Sequence, residues 1–231
     1  NISVGIDIGT HSTKVVVGEF VKGEKNPKIL GIGECPTEGM RHGYVVSSSL
    51  VTASIEKAVG QAEKLSGIRI RRAYIAIGGV TLRGSIAPGV AIVSKADGEV
   101  TILDVNKALE ECEESISLGN KKVIQVSPVA FRLDAKEVLG RPEGMHGNKL
   151  EARAMVVTVS NQHLDELVGA IADAGITPID LIVSPLAAST ICLSEKQKIV
   201  GSALVNIGSE TVTLSVFENN ALIALHTFSI G

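Results

Sequence analysis

The chain contains one short pattern twice, and this repeat restricts the fold more than any other feature of the sequence. The segment at residues 5–17 aligns with the segment at residues 204–216, so that Asp7 corresponds to Asn206, 199 residues further along the chain. In both copies an apolar strand ends in an acid or its amide, and a glycine and two hydroxyl residues precede a second apolar strand. The pattern predicts two β-hairpins of the same design.

The turns of these hairpins have the composition of an anion site. A glycine lets the backbone approach a ligand closely, and the N–H groups of such a turn form a concave site that suits a phosphate. Asp7 is placed to hold a water on a Mg²⁺ that bridges phosphate oxygens, and Lys14 could neutralise remaining charge. One such turn often has only a conformational role, but two facing hairpins could bind a polyphosphate from both sides of a cleft. The candidate cofactor-binding residues are Asp7, Gly9, Thr10, Ser12, Thr13, Lys14, Asn206, Gly208, Ser209 and Thr211, with Asp7 also the candidate metal residue.

Composition excludes several classes of protein. The 22 Lys and Arg against 25 Asp and Glu, with no Trp, two Tyr and four Phe, argue against a nucleic-acid partner. No stretch reaches the roughly 18 apolar residues of a membrane span, and no secretory signal is recognisable, so we expect a cytoplasmic setting. The three cysteines lack paired spacing and suit plain thiols. No residues have the arrangement of a nucleophilic catalytic site, so we predict no catalytic residue.

Apolar periodicity predicts an α/β domain that is interrupted by an α+β insertion. Before residue 80 it predicts strands at residues 2–7, 14–20, 29–35 and 73–77 and a helix at residues 49–66. The insertion has a strand pair at 81–94, a helix capped by Asp104 and strands at 123–134 and 150–160. A helix capped by Asn161, a strand at 179–183 and a helix that begins at Ser184-Pro185 follow. Gly31-Ile32-Gly33 is interpreted as a strand end, because no phosphate-binding helix follows it.

Four further segments resemble the FtsA family of bacterial cell-division actin homologues, within the actin-like ATPase superfamily. They are residues 29–46, 58–64, 140–152 and 184–189. The whole superfamily shares the phosphate hairpins, whereas the glycine-containing runs at 29–46 and 140–152 are more specific. The resemblance implies an α/β chain with the actin-like, ribonuclease H-like ATPase fold. It would comprise the first lobe and the start of the second, with an inserted small α+β subdomain.

The resemblance also implies a domain order and a set of partners. Residues 1–81 and 161–199 would form the first ATPase subdomain (1A), residues 82–160 an SHS2-like inserted subdomain (1C), and residues 200–231 the start of the second lobe (2A). The implied cofactors are ATP and Mg²⁺. The implied partners are FtsZ, other division proteins and further copies of the chain in filaments. The implied location is the inner face of the membrane at the division site, reached through a C-terminal segment absent from this chain.

The second hairpin departs from the family pattern. The family usually has Asp where this chain has Asn206, glycines at Ser209 and Glu210, and Asp at Thr213. Asn206 cannot supply a carboxylate, and we expect Glu210 to bring negative charge towards the phosphates. We therefore expect weak or vestigial ATP binding and at most a weak ATPase. Two alternatives stay open: an actin-like adaptor of the pilus-assembly type that binds a partner peptide, and, less favoured, a small-molecule kinase of the same superfamily.

Overall fold

The computed structural model describes residues 1–24 and 26–230. Its strands are β1 (Ile2–Ile8), β2 (Ser12–Glu19), β3 (Lys28–Pro36), β4 (Met40–Arg41), β5 (Tyr44–Val45), β6 (Arg72–Ile77), β7 (Arg83–Ile92), β8 (Lys121–Leu133), β9 (Lys136–Val138), β10 (Lys149–Ser160), β11 (Thr177–Val183), β12 (Ser202–Ile207), β13 (Val212–Glu218) and β14 (Ala221–Phe228). The helices are α1 (Ser48–Ser66), α2 (Ile102–Glu114), α3 (Asn161–Asp173), α4 (Ser184–Cys192) and α5 (Glu195–Val200).

A five-stranded mixed sheet in the order β11-β6-β1-β2-β3 carries the first hairpin. β1 pairs antiparallel with β2 and parallel with β6, and β6 pairs parallel with β11. Alternate residues of the hairpin are apolar and buried, which is the period of a strand with one face in a core. Val4, Ile6 and Val15 share that core with apolar residues of α1 and α3. The predicted first hairpin and its following strand and helix are therefore confirmed.

Two glycines of β3 mark a close approach of helix α1 and not the end of a strand. Gly31 and Gly33 lie inside β3, so the prediction that they end a strand is wrong. A Cβ on Gly33 would lie 1.8 Å from the carbonyl oxygen of Ala58, and a Cβ on Gly31 would lie 2.7 Å from that of Ala62. The absence of side chains therefore lets the helix backbone pack directly on the strand.

A seven-stranded sheet in the order β12-β13-β14-β7-β10-β8-β9 contains the middle of the chain and the second hairpin. The predicted strand pair at 81–94 is wrong, because β7 is one continuous strand over Arg83–Ile92. Its glycines do not form a turn. A Cβ on Gly89 would lie 2.1 Å from the carbonyl oxygen of Ala108 on α2, so this glycine also marks helix packing.

The helix N-termini differ from the prediction by one to three positions. Thr101 is the N-cap of α2, and Asp104 is the third helical residue, whose carboxylate accepts hydrogen bonds from the N–H and hydroxyl of Thr101 and from the N–H of Ser94. Burial favours the neutral acid at Asp104, but these hydrogen bonds outweigh it and lower the pKa to about 2. Ser160, and not Asn161, precedes α3. A capping box places its acid inside the helix, which explains the misassigned cap at α2.

Within the described part of the chain, no helix is both long enough and apolar enough to cross a bilayer.

A candidate phosphate site between two hairpin turns

The two predicted hairpins have the same turn. In the first, the N–H of Gly9 donates to the carbonyl oxygen of Ser12 over 3.1 Å, and in the second the N–H of Gly208 donates to that of Thr211 over 2.8 Å. The strand registers also correspond, since Asp7 lies opposite Lys14 and Asn206 lies opposite Thr213. The sequence repeat is therefore a structural repeat.

Both turns border one cleft of about 540 Å³. The first turn follows the carboxyl end of β1. Because β1, β6 and β11 are parallel, the segments after β6 and β11 reach the same edge, where Gly78, Gly79, Ser184 and Pro185 line the cleft. Loops at the carboxyl ends of parallel strands are the usual place for a ligand in an α/β sheet. Ser184 also begins α4, which brings the positive end of a helix dipole to the wall.

All but one of the predicted site residues line this cleft. They are Asp7, Gly9, Thr10, Ser12, Lys14, Asn206, Gly208, Ser209 and Thr211. The exception is Thr13, which is fully buried and has its hydroxyl oxygen 2.8 Å from that of Thr37. Thr13 therefore contacts the segment that follows β3 and does not face a ligand in the cleft.

Asp7 and Lys14 are the charged pair at the first turn. The carboxylate of Asp7 is open to the cleft, but the surrounding protein reduces its solvation and raises its pKa, while the positive charge of Lys14 acts in the opposite direction. Lys14 is about half exposed, and its Nζ lies 3.8 Å from Oε1 of Glu34. An exposed pair at that distance is weak, so Lys14 is available to a phosphate.

Glu210 does not point towards a phosphate, and the expectation that it would is wrong. Its Oε2 accepts a hydrogen bond from the N–H of His42 over 2.5 Å, and Glu210 does not line the cleft. His42 lies between β4 and β5, two unpredicted strands of two residues each. The negative charge at this position is therefore held at the rim of the site.

Sequence reasoning missed a second group of lining residues, which are Ile8, His11, Met40, Gly43, Ala76, Gly78, Gly79, His163, Leu167, Ser184, Pro185 and Thr213. Those after β6 and β11 could have been found from the parallel strand order. His163 had no such signal. It is buried, its ring meets that of Tyr44 edge-on at 5.3 Å, and burial lowers its pKa while a backbone hydrogen bond to Gly78 and the charge of Glu166 oppose that effect.

The donor set suits one kind of metal site only. Within residues 1–24 and 26–230, no three His, Cys, Asp or Glu side chains come together closely enough to hold a metal ion. The cleft instead offers one carboxylate, from Asp7, together with hydroxyl and amide oxygens. This fits a Mg²⁺ that is held mainly by phosphate oxygens and water, and it does not fit a metal held by protein ligands alone.

Comparison with known proteins agrees with this architecture. The family model for the SHS2 domain inserted in FtsA matches residues 80–158. The cell division protein FtsA of Bacillus subtilis (strain 168) is 32% identical over 99% of this chain and 51% of its own length. The FtsA of Escherichia coli (strain K12) is 29% identical over 95% of this chain and 51% of its own length. The chain thus spans about half the length of these relatives.

Two solved structures share the fold. A PilM-PilN type IV pilus biogenesis complex superimposes with a TM-score of 0.66 at 18% identity, over 98% of this chain and 61% of that one. The ethanolamine utilization protein EutJ from Carboxydothermus hydrogenoformans gives 0.52 at 16% identity, over 100% of this chain and 53% of that one. The chain is therefore similar to FtsA over nearly its whole length, carries the SHS2 domain that is inserted in FtsA, and has the predicted actin-like ATPase fold.

Proposed function

We propose that this chain is part of an FtsA-like cell-division scaffold that binds the phosphates of ATP between its two hairpin turns. The observation that carries the proposal is that two turns with the same hydrogen-bond pattern, 199 residues apart in sequence, border the same cleft. The FtsA relatives give the cellular context, since both are named for cell division. A pocket with a few convergent polar groups is the expected form of a ligand site.

Each turn has a distinct task in this proposal. The hydroxyls of Thr10, Ser12 and Thr211 donate to phosphate oxygens. The hydroxyl of Thr10 already accepts a hydrogen bond from the N–H of Gly43 over 2.9 Å, so its own proton is left for a ligand. Lys14 neutralises phosphate charge, and Asp7 orients water around Mg²⁺. The ion, when bound, supplies positive charge to the phosphate oxygens.

The second hairpin limits the chemistry. Asn206 occupies the position equivalent to Asp7, and its amide cannot take a proton from an attacking water. His163 is buried, and this burial lowers its pKa, while its ring packs edge-on against that of Tyr44. We therefore infer that the site binds nucleotide and hydrolyses it slowly, so that the protein is at most a weak ATPase.

The scaffold role is proposed for the protein that contains this chain. Residues 1–81 and 161–199 would act as subdomain 1A, and residues 200–231 as the start of 2A. Residues 82–160 would act as subdomain 1C and contact neighbouring subunits and other division proteins. Filament formation, FtsZ binding and a peripheral position at the inner face of the membrane complete the proposal.

Calorimetry with Mg²⁺ and ATP tests the nucleotide part. We expect saturable binding of one ATP per chain that weakens by about tenfold when Mg²⁺ is removed, because the charge on the phosphates is then less neutralised. Where the source protein extends beyond this chain, the longer form should bind more tightly, because more of the nucleotide is enclosed. No binding by either form would contradict a nucleotide site.

A binding assay with FtsZ tests the scaffold part and separates it from the alternative. An FtsA-like scaffold should bind FtsZ and form filaments, whereas a pilus-type adaptor should do neither and should bind a peptide of its own partner. The sequence of this chain is more similar to the FtsA of Bacillus subtilis, at 32% identity, than to the PilM-PilN complex, at 18% identity. We therefore favour FtsZ as the partner.

A further inference from the structure

A short loop connects the two hairpin turns without being part of either. His42 and Gly43, between β4 and β5, form this β4–β5 loop. Both have positive φ, 51° at His42 and 80° at Gly43. A Cβ on Gly43 would lie 2.5 Å from Cα of Gly79, so the loop is packed directly against the segment that follows β6. The loop therefore has little freedom to move relative to the first sheet.

The β4–β5 loop bonds to both turns. The N–H of Gly43 donates to the hydroxyl oxygen of Thr10 in the first turn over 2.9 Å. The N–H of His42 donates to Oε2 of Glu210 in the second turn over 2.5 Å, and Nδ1 of His42 lies 3.2 Å from the carbonyl oxygen of Glu210. Nδ1 also lies 3.2 Å from the hydroxyl of Ser229, just after β14. One loop of two residues thus links parts of the chain that are far apart in sequence.

Glu210 is suited to hold this link. Its carboxylate is only about one third exposed, and hydrogen bonds to a charged acceptor are stronger than those between neutral groups. The imidazole also lies close to this carboxylate, with Nδ1 of His42 3.8 Å from Oε2 of Glu210. A glycine or alanine at position 210 would leave the main-chain contact and remove the carboxylate contact.

We propose that Glu210 is a positioning residue, which acts through the β4–β5 loop to hold the two hairpin turns at a fixed separation. The link forms a latch (Glu210, His42, Gly43 and Thr10) across the rim of the cleft. The latch itself depends only on contacts within the chain. The latch would also set the width of the cleft before a phosphate ligand binds. This consequence rests on the proposed function.

Amide hydrogen exchange in the absence of nucleotide tests the latch. In Glu210→Ala, the amides of Gly43 and Gly9 should exchange about tenfold faster, because loss of a hydrogen bond to a carboxylate frees the loop and, through Thr10, the first turn. Glu210→Gln keeps an acceptor oxygen, so its effect should be less than threefold. Glu218→Gln is the matched control, because Glu218 is an exposed carboxylate at the other end of the same hairpin. A rise in exchange confined to His42 and residues beside Glu210 would overturn the proposal.

Two further measurements, one on a second variant and one with added nucleotide, complete the test. If Glu210→Ala does not fold, as judged by circular dichroism, Ser229→Ala removes the third anchor of His42 and should speed exchange at Gly43 by about threefold. An unchanged Gly43 in that variant would overturn the latch. Added Mg²⁺ and ATP should restore slow exchange at Gly9 in Glu210→Ala, because a ligand then joins the turns. Loss of this rescue alone would count against the nucleotide site and leave the latch intact.

Discussion

The first and second hairpins have the same turn in different surroundings. β1 and β2 lie within their five-stranded sheet, between β6 on one side and β3 on the other, and Val15 and Val17 are fully buried. β12 is the end strand of its sheet, and Val205 and Ile207 are 52% and 74% exposed. The turn geometry therefore comes from the local sequence and not from the sheet around it.

The chemistry of the two hairpins also differs. The pair across the first hairpin is Asp7 and Lys14, two charged groups at the cleft, whereas the equivalent pair in the second is Asn206 and Thr213. Thr213 is buried, and its hydroxyl oxygen lies 3.2 Å from that of Thr227. The first hairpin thus supplies the charges of the site, and the second supplies neutral donors. We therefore expect both hairpins to bind the same ligand, although only the first contributes charged side chains.

The largest expected effect comes from a substitution in β3, which disrupts the packing next to the first hairpin and leaves the second hairpin unchanged. Gly33→Ala would force a methyl group to within 1.8 Å of the carbonyl oxygen of Ala58, so β3 and α1 must separate. We expect the free energy of unfolding to fall by about 3 kcal/mol or more. Chemical denaturation measures it.

Gly60→Ala is the control for that variant. Gly60 lies in the same helix with open space around its Cα, so alanine should raise the free energy of unfolding by about 1 kcal/mol. Equal effects of the two substitutions would contradict the close packing of β3 on α1.

Asp104 provides a reference carboxylate whose pKa moves in the opposite direction to that of Asp7. With its pKa lowered from 3.8 to about 2, ionised Asp104 contributes about 2 kcal/mol of stability. This contribution is present above pH 4 and is lost as the pH falls towards 2. Asp104→Asn should remove it, together with part of the α2 cap. Acid denaturation curves that coincide for the two proteins would rule this out.

Asp7→Asn makes the first hairpin chemically like the second. Mg²⁺-dependent nucleotide affinity should fall at least about tenfold, because no carboxylate is left to orient the water around the ion. Asn206→Asp makes the opposite change and should increase Mg²⁺-dependent hydrolysis. Calorimetry and phosphate release measure the two effects. An unaffected affinity in Asp7→Asn would remove Asp7 from the site.

The smallest expected effect is the pH dependence that Asp7 itself adds. Its pKa is raised in the folded chain, so the neutral acid is favoured by folding, and this contribution is lost as the pH rises from below 3.8 through the folded pKa. At neutral pH, Asp7→Asn should therefore raise the free energy of unfolding slightly while it weakens Mg²⁺ binding. Thermal unfolding without nucleotide checks the sign, and a lower melting temperature would contradict it.

Sequence reasoning predicted the strands and helices with clear periodicity, and it predicted the repeated turn because glycine, hydroxyl and acid positions are local signals. It failed where a glycine can have either of two structural roles, a turn or a close contact between a helix and a strand. Gly89 and Gly33 allow a helix to approach a strand, and a single sequence cannot separate this role from a turn. It also missed the β4–β5 loop, whose strands have two residues each and whose contacts to Thr10 and Glu210 are between distant segments.

The residues of the site were likewise predictable only where the signal is local in the sequence. Residues inside the repeat were found, whereas His163 and Gly79 reach the cleft only because the parallel strands bring their segments to one edge. Thr13 was assigned to the ligand because it is a hydroxyl residue near the turn, but alternation in β2 directs it into the core.

Titration of matched variants with Mg²⁺ and ATP tests the central claim, which is that both hairpins bind one ligand. Ser12→Ala and Thr211→Val remove the hydroxyl at equivalent positions of the two turns. We predict that each weakens binding by about fivefold and that stoichiometry stays at one. If only Ser12→Ala weakens binding, or if neither does, the two turns do not form a single phosphate site.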